Sequence, residues 1–104
     1  MAQFDVYRNP SPETGAAIPY LLDVQADLLD GLATRVVVPL VRAAEMGRRA
    51  TLLNPQLEVD GQEVVMSTAE LAGVPARALG EKIASVASRR HEIIAALDFL
   101  FAGI

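Results

Sequence analysis

Arg89-Arg90-His91-Glu92 gathers the side chains most capable of chemistry in this chain. An RNA-cleaving site uses such parts. Arginine steadies the charge of a phosphorane, and histidine or glutamate moves protons. An endoribonuclease reading therefore rests on Arg89, Arg90 and His91. An ordinary charged helix face is the simpler account, and it is preferred. Ser88 precedes His91 by three residues and could share its helix face, but no third group is placed to orient the imidazole. Asp23, Gln25 and Asp27 form a polar row on one strand face that could chelate a cation; a solvated strand face explains it as well. One histidine and no cysteine cannot fill a zinc site. Gly80-Glu81-Lys82 lacks the spacing and the hydroxyl residue of a phosphate loop. Arg48-Arg49 reads as a solvated basic pair. None of these groups requires catalysis, a metal or a cofactor, so the expectation is a protein that is not an enzyme.

Composition narrows the partner. The 104 residues suit one domain with a single core, and the absence of cysteine points to a reducing compartment. With 52% hydrophobic but only 5% aromatic residues, that core must be built from Leu, Val, Ile and Ala. A formal charge of -4 argues against direct binding of nucleic acid, which needs a basic face. It suits a basic protein segment, or a protein cavity shaped to hold DNA. No basic segment followed by an apolar stretch opens the chain, and the run Ile93 to Ile104 contains Asp98 and is too short to span a bilayer. The expectation is a cytoplasmic protein with no membrane contact.

These residues must be positioned by a strand-rich body, about 1–80, and a C-terminal helix, about 85–104. Phe4 and Val6 alternate with Asp5 and Tyr7, which predicts a half-buried strand. Asn9 to Pro19, rich in proline and small residues, reads as a mobile loop. Tyr20 to Ala26 has strand alternation and Asp30-Gly31 supplies a turn after it. Arg35 to Val41 is a third strand; Val36-Val37-Val38 is apolar on both faces, so both must be covered, a second subunit being one candidate. Arg42 to Ala50 fits either a helical turn or a loop. Asp60-Gly61 between Leu57-Val59 and Val64-Met66 is a hairpin signal, since both turn residues must accept positive φ. Ser67 and Glu70 have capping-box spacing, and Gly73-Val74-Pro75 ends that turn.

The tail is the most informative stretch. A helix from about Ala87, capped by Ser85 or Ser88, carries Ile83, Val86, Ile93, Leu97, Leu100 and Ile104 on three- and four-residue steps, broken only at Arg90. Chain ends normally lose order. Large apolar residues up to Ile104 therefore imply docking on a core or on a second copy of the chain.

Together these segments resemble the CcdB family of bacterial toxins. The opening Gln3-Phe4-Asp5-Val6-Tyr7 is close to the family's Gln-Phe-x-Val-Tyr. Leu22-Asp23-Val24-Gln25-Ala26-Asp27-Leu28-Leu29-Asp30 and Arg35-Val36-Val37-Val38-Pro39-Leu40 follow in family order. Gly73-Val74-Pro75, Leu79-Gly80-Glu81 and the closing Phe101-Ala102-Gly103-Ile104 complete the match, while Asn9 to Pro19 aligns poorly. The resemblance implies a mostly β fold with a C-terminal α-helix, a partly open SH3-type barrel or sheet, paired as a homodimer. It also implies a toxin that enters the DNA gyrase A subunit, traps the gyrase–DNA cleavage complex and is neutralised by a disordered, CcdA-like antitoxin. The antitoxin footprint is expected to border Asn9–Pro19 and Arg42–Ala50.

Carried over by position, the gyrase-binding set is Leu28, Leu29, Asp98, Phe101, Ala102, Gly103 and Ile104. The dimer-interface set is Ile93, Leu97, Leu100 and Ile104. The leucines replace isoleucines and keep apolar contact; Asp98 replaces an asparagine and adds charge. Ala102 departs furthest, because the family places tryptophan there to stack on gyrase arginines, and alanine offers no π-face. The alternative carried by Ala102 is a gyrase-inactive relic, or a decoy that still binds antitoxin.

Overall fold

Valine-rich alternation in the first two-thirds of the chain folds into one curled antiparallel sheet. The computed structural model describes residues 1–104. Its strands are β1 (Asp5–Arg8), β2 (Tyr20–Asp23), β3 (Thr34–Arg42), β4 (Gln56–Val59), β5 (Gln62–Met66), β6 (Ala72–Pro75) and β7 (Lys82–Ser85), followed by a single helix, α1 (Arg90–Ala102). The order across the sheet is β4-β5-β3-β2-β1-β7. Strand β3 is long enough to pair β5 with its second half (Leu40↔Met66) and β6 with its first (Arg35↔Val74). That split lets the sheet curl into a half-barrel. The mostly β fold with a C-terminal helix is thus as expected.

The concave face holds the core. Register places Val6, Leu22 and Val38 side by side, and Leu40, Met66, Val64 and Leu57 continue the layer. Ile93 and Ala96 of α1, both fully buried, close it. The Asp60-Gly61 hairpin is present, with φ of 52° and 78° at the two residues, as a two-residue turn of this hand demands. Gly80 is needed for a different reason. A Cβ there would meet Arg8 O at 2.6 Å, where β1 and the approach to β7 touch.

Several local expectations are corrected. Asp5 and Tyr7 are buried along with Phe4 and Val6, so β1 is covered on both faces. Phe4 lies outside the strand at φ 71°, its N–H donating to Asp23 O and its C=O accepting from Val86. Val37 and Val38 are both buried within one chain, so no second subunit is needed to cover them. Strand β2 stops at Asp23 rather than Ala26, because Asp23 Oδ1 accepts the Gln25 N–H at 3.0 Å. Such a side-chain turn pulls the backbone out of the ladder. Asn9–Pro19 is a hydrogen-bonded loop. The Asn9 side chain donates to Thr14 Oγ1 and Ile18 O, and Gly15 N–H reaches Ser11 O. Arg42–Ala50 begins as a turn on the Arg42 carbonyl.

The helical tail is shorter than its apolar stripe. Ile83 lies in β7, Val86 precedes a 3-10 turn, Ala87–Arg89, and Ile104 follows the helix, so only Ile93, Leu97 and Leu100 of the stripe belong to α1. Neither serine caps it; Arg89 is the N-cap residue and offers no capping side chain, while Ser85 Oγ accepts Ala87 N–H. Ser67 likewise bonds the Glu70 carboxylate rather than a backbone amide, and Gly73-Val74-Pro75 lies in β6.

Candidate protein-interaction surface

Helix α1 ends because Gly103 adopts φ 74° and donates its N–H to Phe99 O. Glycine takes this left-handed position without the penalty a Cβ imposes. The last turn is therefore well formed, yet it is apolar and exposed. Phe99 is 37% exposed, Phe101 72% and Ile104 87%. Asp98, Ala102 and Gly103 are exposed beside them.

A second apolar segment meets this helix end. The loop after β2 makes a 3-10 turn, Asp27–Leu29, that displays Leu28 at 94% exposure, with Leu29 and Leu32 about half exposed. Leu29 and Leu32 of this loop, Leu97 and Phe101 of α1, and Val36 and Leu71 are among the residues lining a cleft of about 470 Å³. Leu29 and Phe101 of the sequence-derived set thus face one groove. Leu28, Asp98, Ala102, Gly103 and Ile104 do not line it; they are exposed beyond its walls.

The expected dimer seam divides. Ile93 is fully buried in the chain's own core and cannot reach another molecule, because the face it occupies packs on the sheet. Leu97 and Leu100 are half-buried, and Ile104 is free.

Sequence reading missed the residues that hold the display loop. The Gln25 side chain bridges strand and loop. Its Oε1 accepts Val36 N–H at 3.0 Å and its Nε2 donates to Leu29 O at 3.0 Å. Arg35 donates through Nε to Asp23 Oδ2 at 2.8 Å and through Nη1 to Asp30 Oδ1 at 3.1 Å. Asp27 Oδ1 accepts Gln3 N–H at 2.7 Å. The Asp23/Gln25/Asp27 row is therefore not one solvated strand face: Asp23 and Gln25 are buried and bonded within the chain, while Asp27 is exposed with Oδ1 on the Gln3 N–H. The available signal was Arg35 opening an otherwise apolar strand, since a charge there must find a partner.

Electrostatics follow from burial. Withdrawal from water pushes the Asp23 carboxyl above its usual range, opposed by the Arg35 guanidinium and the Gln25 amide. Burial and the nearby Asp5 and Asp23 carboxylates raise the Tyr7 phenol to about 12. Lys82 Nζ lies 3.3 Å from Asp5 Oδ1.

The Arg89–Glu92 stretch is split in space. Arg89 donates to Gln56 O and is clamped on Glu92, and the Glu92 contact raises the arginine's pKa and lowers the carboxylate's. Arg90 is held elsewhere, with Nη1 3.2 Å from Gln3 Oε1 and its guanidinium 5.5 Å from the Phe4 ring centroid. Arg89, His91 and Glu92 line a larger, more polar groove of about 590 Å³ with Arg49 and Gln56; Arg90 does not. No helix is long and apolar enough to cross a membrane.

Two apolar segments are thus displayed at the helix end of a half-barrel with one terminal helix. Residues 3–103 match the model of the family described as CcdB protein, so this chain belongs to the CcdB family, the toxins of toxin–antitoxin modules.

Proposed function

We propose that this protein is a cytoplasmic toxin that acts by binding rather than catalysis. Two copies join through their helix ends and present one apolar tip to the DNA gyrase A subunit, trapping the cleaved gyrase–DNA complex. A CcdA-like antitoxin silences it, bordered by the loops Asn9–Pro19 and Arg42–Ala50.

One observation carries the reading. Of eight exposed large hydrophobic side chains, six lie in the two segments Leu28–Leu32 and Phe99–Ile104 that wall one groove. A soluble chain seldom displays such a concentration unless something covers it. The net charge of -4 suits a cavity built to hold DNA, which must itself be positive.

A gyrase supercoiling and cleavage assay tests it. The purified protein, or failing that its Ala102→Trp variant, should stabilise cleaved DNA. Inactivity of both, with no growth arrest on induction, would remove gyrase as the target. Tight antitoxin binding with harmless overexpression would favour the relic or decoy, a reading supported by Ala102 at an exposed contact position.

A further inference from the structure

We infer that Gln25 and the Arg35–Asp30 contact are positioning residues that fix the Leu28–Leu29 loop in its partner-ready conformation before any partner arrives. The inference rests on the proposed protein-binding role of that loop. Leu28 is 94% exposed, so nothing in its own packing holds it. Its neighbours are held on every side. Asp27 is bonded to the Gln3 amide, the Leu29 carbonyl to Gln25 Nε2, and Asp30 to the Arg35 guanidinium.

Two of these tethers are anchored in buried, hydrogen-bonded groups. Gln25 is 6% exposed and its other end replaces a missing ladder bond to Val36 in β3. Arg35 is 1% exposed and fixed by the buried Asp23. The loop is thus bolted to the sheet. A bare leucine on a fixed loop binds without the ordering cost that a flexible loop incurs. Gln25 also sets the distance between Leu29 and β3, and with it one wall of the apolar cleft.

The test uses Gln25→Leu, Asp30→Ala and Asp30→Asn in the full chain. Hydrogen exchange at the Leu29, Asp30 and Leu32 amides, each bonded within the loop, reports its order. Affinity for a purified gyrase A fragment reports its use. Losing one tether should speed exchange by about tenfold at these amides, while the β3 amides other than Val36, which Gln25 itself bonds, are unmoved and the global melting midpoint holds in the Asp30 variants. Affinity should fall by a similar factor, and Asp30→Asn, which keeps an acceptor oxygen, should restore both. Should Gln25→Leu fail to fold, the Asp30 pair decides, since that side chain is 59% exposed. Unchanged exchange in the variants overturns the inference, as does faster exchange with undiminished affinity. If neither the unaltered protein nor its Ala102→Trp form binds the fragment, gyrase fails as the partner, and the exchange result alone decides the tether.

Discussion

The Arg35 guanidinium sits on Asp23 Oδ2, with Nη2 at 2.6 Å and Nε at 2.8 Å, and neither side chain reaches water. Both arginine nitrogens converge on one carboxylate oxygen, and Nη2 is out of line for a hydrogen bond. The other oxygen receives the Gln25 amide. Removing one member strands the other's charge, and such losses cost about 3–5 kcal/mol. Arg35→Ala should therefore lower the unfolding free energy by about that amount in a urea titration. Replacing both residues, as in Arg35→Met with Asp23→Leu, should cost much less, since an apolar pair leaves no uncompensated charge. A double mutant as unstable as the single one would show that the pair itself carries the stability.

Tyr7 makes stability fall in alkali. Its phenol holds its proton to about 12 in the fold against 10.0 for the free side chain. Between those values the native state binds more protons than the unfolded state, so unfolding becomes easier as pH rises. The loss is about 2 kcal/mol across the window. Tyr7→Phe should flatten the stability profile between these pKa values by that amount. An unchanged alkaline slope in Tyr7→Phe would refute the assignment. Asp23 works in the same sense on the acid side. Its raised pKa means that stability present below the free value is lost as pH rises through the folded one.

Ile93 and Ile104 share a sequence stripe but not a role. Ile93 is fully buried and Ile104 87% exposed. Ile93→Ala should cost about 2–5 kcal/mol through the cavity it leaves. Ile104→Ala should leave stability within about 0.5 kcal/mol, because it removes only exposed surface. If two copies associate through their helix ends, Ile104→Asp should shift sedimentation toward monomer and lower the melting midpoint only by what association contributes. A drop in midpoint with unaltered association would contradict this division.

Legibility in the sequence followed the range of the interactions. Val6, Leu22 and Val38 declare their strands by alternation, and Asp60-Gly61 its hairpin by backbone chemistry, because both signals are local. The apolar tail pointed to Phe101 and Ile104 for the same reason. The second covered face of β1 was hidden, since Asp5 and Tyr7 pass for solvated residues until Lys82 and Asp23 are seen beside them. Gln25 was read as surface because its partners Val36 and Leu29 lie on either side of a turn that sequence periodicity does not show. The helix start was misplaced because Ile83 and Val86 continue the stripe's spacing from a strand, and burial alone does not distinguish the two periods.

Ala102 closes α1 in an exposed position between Phe101 and the Gly103 cap. A tryptophan there would meet solvent, so Ala102→Trp should change stability by no more than about 0.5 kcal/mol. Its effect on binding should be far larger. An aromatic anchor at an interface contributes about 2–4 kcal/mol, partly by stacking on a guanidinium. At 1.4 kcal/mol per decade, one anchor corresponds to about 30-fold or more in affinity for a gyrase A fragment, and two in a symmetric dimer to roughly 10³-fold or more. The gain should vanish when Leu29→Ala is added only if the new ring and the loop act as one surface; otherwise the two changes add. Equal affinity of the alanine and tryptophan forms would mean that Phe101 and Phe99 already supply the aromatic contact from neighbouring positions.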